Sequence, residues 1–361
     1  MPLTLSNRLF RLSAIVLLLS VFGIGSAFFI GEVGAAVPQM VVVGQGDDGE
    51  YSLYLTDSRL NISTTLVTYD AMISRPQWSP DGREMIYRVY HADGHRLYIY
   101  NLETGKTRLS WADGTTYNGL PAWSPDGSEI AFVSNNQGGY SFLYVMNLET
   151  REFRSLTPST VNADTPIWSA DGTALHYTAW RSNRDVLISV NADGTNARIL
   201  LPDYFSGLIP VAWSPSREQI AFPQSRTNGM VQRSDLYLMD IFENANPNES
   251  ERVATDAGVN AYPAWSPDGE QIAFVSNRDG DTDLYRVSAT GDAENETAIR
   301  LTDLPSNTAP TEPLWSADGG SVAFFSVVSG QRETIYVVGA DGHGLHRLSF
   351  PRAPLAMAWR P

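Results

Sequence analysis

The chain has 361 residues, with 25 Lys and Arg against 40 Asp and Glu, a formal net charge of −15 and no cysteine. That charge repels a phosphate backbone and argues against nucleic-acid binding, while the missing thiols exclude disulfides, thiolate metal sites and a cysteine nucleophile. With 43% hydrophobic and 11% aromatic residues, the chain can bury a large core and must hold it by packing alone.

In chain order the first element is an export signal. Arg8 and Arg11 precede an uncharged run from Leu12 to Gly31, the pattern of a charged segment followed by an apolar one. Small residues at Gly34 and Ala36 offer a cleavage site before Val37, and Gly25 and Ala27 an earlier one. Left uncleaved, residues 12–31 are long enough to anchor the chain in a bilayer with both arginines inside. Residues 1–36 are therefore a signal peptide or signal anchor, and residues 37–361 are expected in the periplasm or outside the cell.

One phrase then recurs. It reads Gln77-Trp78-Ser79-Pro80-Asp81-Gly82, Ala122-Trp123-Ser124-Pro125-Asp126-Gly127, Ile167-Trp168-Ser169-Ala170-Asp171-Gly172 and Ala212-Trp213-Ser214-Pro215-Ser216-Arg217. It continues as Ala264-Trp265-Ser266-Pro267-Asp268-Gly269, Leu314-Trp315-Ser316-Ala317-Asp318-Gly319 and a truncated Ala358-Trp359-Arg360-Pro361. Seven of nine tryptophans mark one period, with spacings of 45, 45, 45, 52, 50 and 44 residues, the length of one four-stranded propeller blade. In Ser-Pro-Asp-Gly the proline presets φ at the second turn position and glycine takes the left-handed one that follows. Asp81, Asp126, Asp171, Asp268 and Asp318 thus read as turn formers, not catalysts.

Each phrase leads into an apolar run such as Glu129–Ser134, Gln271–Ser276 or Ser321–Ser326, which reads as a second strand. A third follows in Leu97–Tyr100, Leu143–Met146, Leu236–Met239, Asp283–Tyr285 and Thr334–Val337, rich in the Tyr and β-branched residues that suit a pleated surface. After turns such as Ala340-Asp341-Gly342 comes a short fourth strand, as in Thr107–Ser110, Ile299–Thr302 and His346–Ser349. Six full units start at Trp78, Trp123, Trp168, Trp213, Trp265 and Trp315. Residues Met40–Gly44, Tyr51–Thr56 and Thr64–Thr68 look like three strands without a first, and Leu355–Trp359 like a first strand without the others. Pairing them hides both sheet edges. The expected fold is all-β, a seven-bladed propeller of four-stranded antiparallel blades closed by a 1+3 clasp of C-terminal and N-terminal strands.

This order of motifs, Trp-Ser-Pro-Asp-Gly, then Ile-Ala-Phe-Val-Ser-Asn, then Leu-Tyr, then Arg-Leu-Thr, resembles the WD40-like repeat of TolB-type propellers over residues 39–361. True WD40 repeats are less similar, since no Trp-Asp dipeptide or Gly-His opening occurs. The resemblance implies partner binding in the periplasm, as TolB performs in the Tol system. TolB carries an α/β domain ahead of six blades, so a direct TolB role is not expected for a seven-bladed ring that begins beside the leader. Related repeats form the front half of prolyl-oligopeptidase-type peptidases, whose chemistry belongs to an α/β-hydrolase domain not expected here.

In a propeller, the loops from fourth strand to next first strand, and from second to third, emerge on one face around the channel. The stretches ahead of the tryptophan phrases carry Tyr117, Asn118, Asp164, Tyr204, Phe205, Asn260, Tyr262 and Glu312, and aromatics beside amides and carboxylates suit peptide or sugar contacts. The expectation is a non-catalytic, exported, monomeric propeller that binds a protein, peptide or glycan on that face, without cofactor or metal. The alternative is a hydrolase or polysaccharide lyase with its site at the channel mouth. No Gly-x-Ser-x-Gly elbow or phosphate-binding glycine loop occurs, and the five histidines lack zinc spacing.

Three stretches stand apart from the repeat. The acids of 243–251 and 291–296 fall on the opposite face and read as a solvated rim, with a cation or basic protein as the alternative. Asn277–Asp283 lacks the distal Glu of a calcium loop and reads as a hairpin turn. Blade 4 departs most: Ser216-Arg217 replaces Asp-Gly, Pro223 calls for a bulge or a lost ladder bond, and a loop is expected from Ser225 to Asp235.

Overall fold

Turn chemistry and alternation place the strands where the repeat puts them. In the computed structural model, Val37–Pro361 is one compact unit. The structure describes residues 39–361 apart from 60, 112–120, 135–139, 158–161, 182–183, 206–210, 229–230, 242–249, 255–257, 290–296 and 329–332. The described residues form seven four-stranded antiparallel sheets and no helix. We number the blades from Trp78, so that blade 1 holds Gln77–Trp78, Glu84–His91, Gly94–Asn101 and Lys106–Trp111.

Blade 7 is assembled from both ends of the chain. Its order is Ala353–Trp359, Gln39–Gln45, Tyr51–Asp57, Ile62–Tyr69, with register from Met40↔Trp359 to Gln45↔Ala353. The one-plus-three clasp is thus present. Arg360 seals it by donating to Gln39 and to the carbonyl of Gly82 in blade 1.

Seven apolar clusters fill the seven joints between blades, and each ring tryptophan wedges into the joint with the preceding blade. Burying one such ring removes about 150–250 Å² from water and contributes on the order of 4–6 kcal/mol before ordering entropy. Six of the indoles also donate to the carbonyl just before the preceding tryptophan, from Trp359 to Leu314 at 2.9 Å to Trp123 on Gln77 at 3.3 Å.

The turn aspartates act locally. Asp81, Asp126, Asp171, Asp268 and Asp318 each accept the hydroxyl of the serine two residues earlier, at 2.5–2.7 Å, and a backbone N–H two residues later. Those bonds hold their carboxyls below the usual carboxylate range. Gly127, Gly172, Gly269 and Gly319 have φ of 68–76°, so a side chain there would strain the backbone, while a Cβ would meet the turn proline of the blade before only at ordinary contact distance.

Three expectations change. Residues 225–235 are not a loop: Gln219–Asn228 and Val231–Asp240 pair continuously, Arg226 opposite Arg233. Of the two accommodations expected for Pro223 the bulge is not the one used: the residue sits in that ladder in unbroken register, opposite Leu236, and has no N–H to donate. The outer strands of blades 5 and 6 shorten to Ile299–Arg300 and His346–Arg347.

Candidate functional site

The inner strands of blades 3, 5 and 6, Asn162–Trp168, Asn260–Trp265 and Thr308–Trp315, begin at the loop-rich face and carry one bulge each. Register shifts between Asp164 and Ile167, Ala261 and Ala264, and Thr311 and Leu314. The bulged pairs are Thr165-Pro166, Tyr262-Pro263 and Glu312-Pro313, set against the buried rings of Tyr177, Phe274 and Phe324. Thr165, Tyr262 and Glu312 have φ of 46°, 51° and 49°. A non-glycine residue in the left-handed region, followed by a proline that favours extended backbone, is strained and must be held by the sheet around it. A bulge of this kind re-aims a side chain at the rim of a barrel or channel.

Glu312 shows where. Its carboxylate pairs with the guanidinium of Arg75, which precedes Pro76 at the equivalent position of blade 1. Blade 7 lies between these two blades, so the pair joins blades that are not neighbours, and Leu355 is exposed on the inner strand of blade 7. Both charged side chains are about half exposed, and such a pair is worth at most about 1 kcal/mol. A cleft of about 400 Å³ is lined by Gln45, Gly46, Glu333, Ala353, Pro354 and Leu355.

Behind this face the polar groups are clamped. Asn260 is fully buried: its backbone N–H and side-chain amide donate to Ser234, and its carbonyl accepts from the Ser234 hydroxyl. Its Oδ1 accepts from Arg278, whose guanidinium lies over Phe274 and Tyr285. The Tyr285 hydroxyl donates to Asp279 at 2.7 Å, and burial together with that carboxylate pushes the phenol up. Asp283, also fully buried, accepts from Thr302, from the Leu304 N–H and from Arg300. The 277–283 stretch is accordingly a hairpin, with Asp279 held by Tyr285 at the surface and Asp283 occupied inside the protein.

The expected site residues therefore divide. Tyr117 and Asn118 lie outside the described residues. Asp164, Tyr262 and Glu312 fall on inner strands at or beside bulges rather than in loops, and Asp164 is exposed. Tyr204 falls on the outer strand Arg198–Phe205 of blade 3, away from the channel-lining strands. Asn260 belongs to the buried clamp and offers no amide to solvent. Sequence reasoning passed over Arg75 and Thr165, although each stands before a proline three residues ahead of a ring tryptophan, as Tyr262 and Glu312 do. It also passed over Met72, Tyr140, Trp180, Val259 and Leu355, large apolar side chains that stand 39–49% exposed on the connections and strand ends of this face. Among the described residues no group of three or more His, Asp and Glu is placed to hold a metal ion.

Comparison with known proteins follows the same geometry. The TolB beta propeller domain family matches residues 31–201 and 181–356. The chain belongs to that family. This TolB-type propeller is 30% identical over 148 residues to the uncharacterized peptidase YuxL of Bacillus subtilis, a match covering 38% of this chain and 20% of the relative. The curated relatives it matches are thus spanned over a fifth of their length or less. Among solved structures it superposes on TolB from Acinetobacter baumannii with a TM-score of 0.52 at 19% identity, covering 89% and 82% of the two chains. An oligogalacturonate lyase gives a TM-score of 0.62 at 16% identity, covering 87% and 85%. At such identities the likeness is one of fold.

Proposed function

We propose that this TolB-type propeller is an exported, non-catalytic binding module that takes a protein, peptide or glycan on its loop-rich face. One observation carries the reading: Met72, Tyr140, Trp180, Val259 and Leu355, from blades 1, 2, 3, 5 and 7, stand exposed on the same face. A partner laid on this face would cover these apolar side chains, and the aromatics among them, Tyr140 and Trp180, are of the kind that anchors contacts. The charged groups beside them are engaged with one another, Arg75 with Glu312 and Arg352 with Asp48 and Glu50. That arrangement suits recognition better than proton transfer.

The Arg8, Arg11 and Leu12–Gly31 pattern supports export to the periplasm or outside the cell. The test is capture from envelope extract with Trp180→Ser combined with Leu355→Ser. A saturable partner lost in the double variant supports the reading, and full retention overturns it.

A second reading is favoured by the names of relatives, a peptidase among them and a lyase among the structural neighbours. It assigns hydrolysis or elimination to the channel mouth. Turnover of peptide or polyuronate substrates that disappears in Glu312→Gln or Arg75→Gln would support that reading in place of the first.

A further inference from the structure

The joint between blades 3 and 4 is unlike the other six. Trp213 is the one ring tryptophan that, among the described residues, makes no indole donation to the blade before it. Its ring instead lies flat on His176 of blade 3, with centroids 4.8 Å apart and planes at 12°. His176 comes from the strand Ala174–Arg181, is 7% exposed, and its Nδ1 has no hydrogen-bond partner.

Two substitutions in the repeat converge on this joint. Ala170 stands where most turns have proline. Arg217 stands where the others have glycine, keeping φ at 61°. Among the described residues its apolar filling has the fewest buried members of the seven, Leu187, Leu200, Ile220, Phe222 and Met239. The charged groups facing the imidazole are Arg198 from the outer strand of blade 3, Arg217 from the turn of blade 4 and Asp171 from the turn of its own blade. Two cations thus oppose one carboxylate, and that carboxylate is already shared between Ser169 and Thr173.

We propose that this joint is a proton-operated latch: a proton taken up by His176 breaks the flat stack on Trp213 and opens the contact between blades 3 and 4, while the six indole-bonded joints stay shut. A proton from water converts the imidazole to an imidazolium, and no other bond is made or broken. The imidazolium is unfavourable in place because it is buried, has no acceptor at Nδ1 and faces two guanidiniums. Its attraction to the indole face works the other way, but hydration on opening satisfies both ring N–H groups at once. The inference is independent of what the loop-rich face binds.

The test combines carbon-13 histidine NMR with amide exchange of the whole protein from pH 7 to pH 4. The latch predicts a His176 midpoint near 4 against an ordinary value of 6.5, and an opening of blade 4 that grows roughly tenfold per pH unit between those values. His176→Phe, or His176→Gln should the first not fold, is expected to abolish that growth. A midpoint near 6.5, protection lost evenly around the ring, or the same loss in the variants would each overturn it.

Discussion

The indole of Trp359, two residues from the end of the sequence, donates to the carbonyl of Leu314 at 2.9 Å, and the Trp78 indole donates to Ala358 at 3.2 Å. Blades 6, 7 and 1 are joined through one short strand. Ending the chain at Arg352 removes the inner strand of blade 7 and exposes the edge of Gln39–Gln45. Thermal melting is expected to shift down by more than 10 °C, or to lose its cooperativity, since several kcal/mol of buried surface goes with it. An unchanged midpoint would show that the ring does not depend on the clasp.

His176 makes stability fall in acid. Burial, aided by Arg198 and Arg217, lowers its pKa to about 4, so between 6.5 and 4 the unfolded chain binds the extra proton. The stabilisation is fully present above pH 6.5 and is lost as pH falls toward 4, by up to about 3 kcal/mol. Denaturant titrations at pH 7 and pH 4.5 are expected to show a smaller difference for His176→Gln than for the natural chain.

Arg217→Gly is expected to stabilise the protein by about 1 kcal/mol, because an arginine held at φ 61° is relieved where the repeat otherwise has glycine. Removing its charge is also expected to raise the His176 midpoint. Chemical denaturation reads the first effect and histidine NMR the second.

Asp283→Asn leaves Arg300 without its buried partner and spoils the contacts to Thr302 and Leu304, so a loss of about 3–5 kcal/mol is expected. Arg75→Ala and Glu312→Ala are each expected to change stability by less than about 1 kcal/mol, as befits an exposed pair. Equilibrium unfolding distinguishes the two cases.

The ring was legible because its causes are local. Pro and Gly fix each Trp-Ser-Pro-Asp-Gly turn, alternation sets the strands that follow, and two complementary fragments leave one way to close the sheet. The channel mouth was less legible. Thr165-Pro166, Tyr262-Pro263 and Glu312-Pro313 look like turns in sequence, yet the bulge lets each stay in a strand. Asn260 looks like a loop amide until Ser234 and Arg278 close on it. Arg75 and Glu312 meet across 237 residues of chain, a distance no periodicity reports.

The most direct measurement of the binding role is a photo-crosslinking amino acid placed at Leu355 on the loop-rich face and, separately, at Ile62 at the start of an outer strand, both exposed. In cells of origin, the account predicts one saturable adduct from position 355 and none from position 62. Equal labelling from both positions, or adducts from position 62 alone, would contradict it.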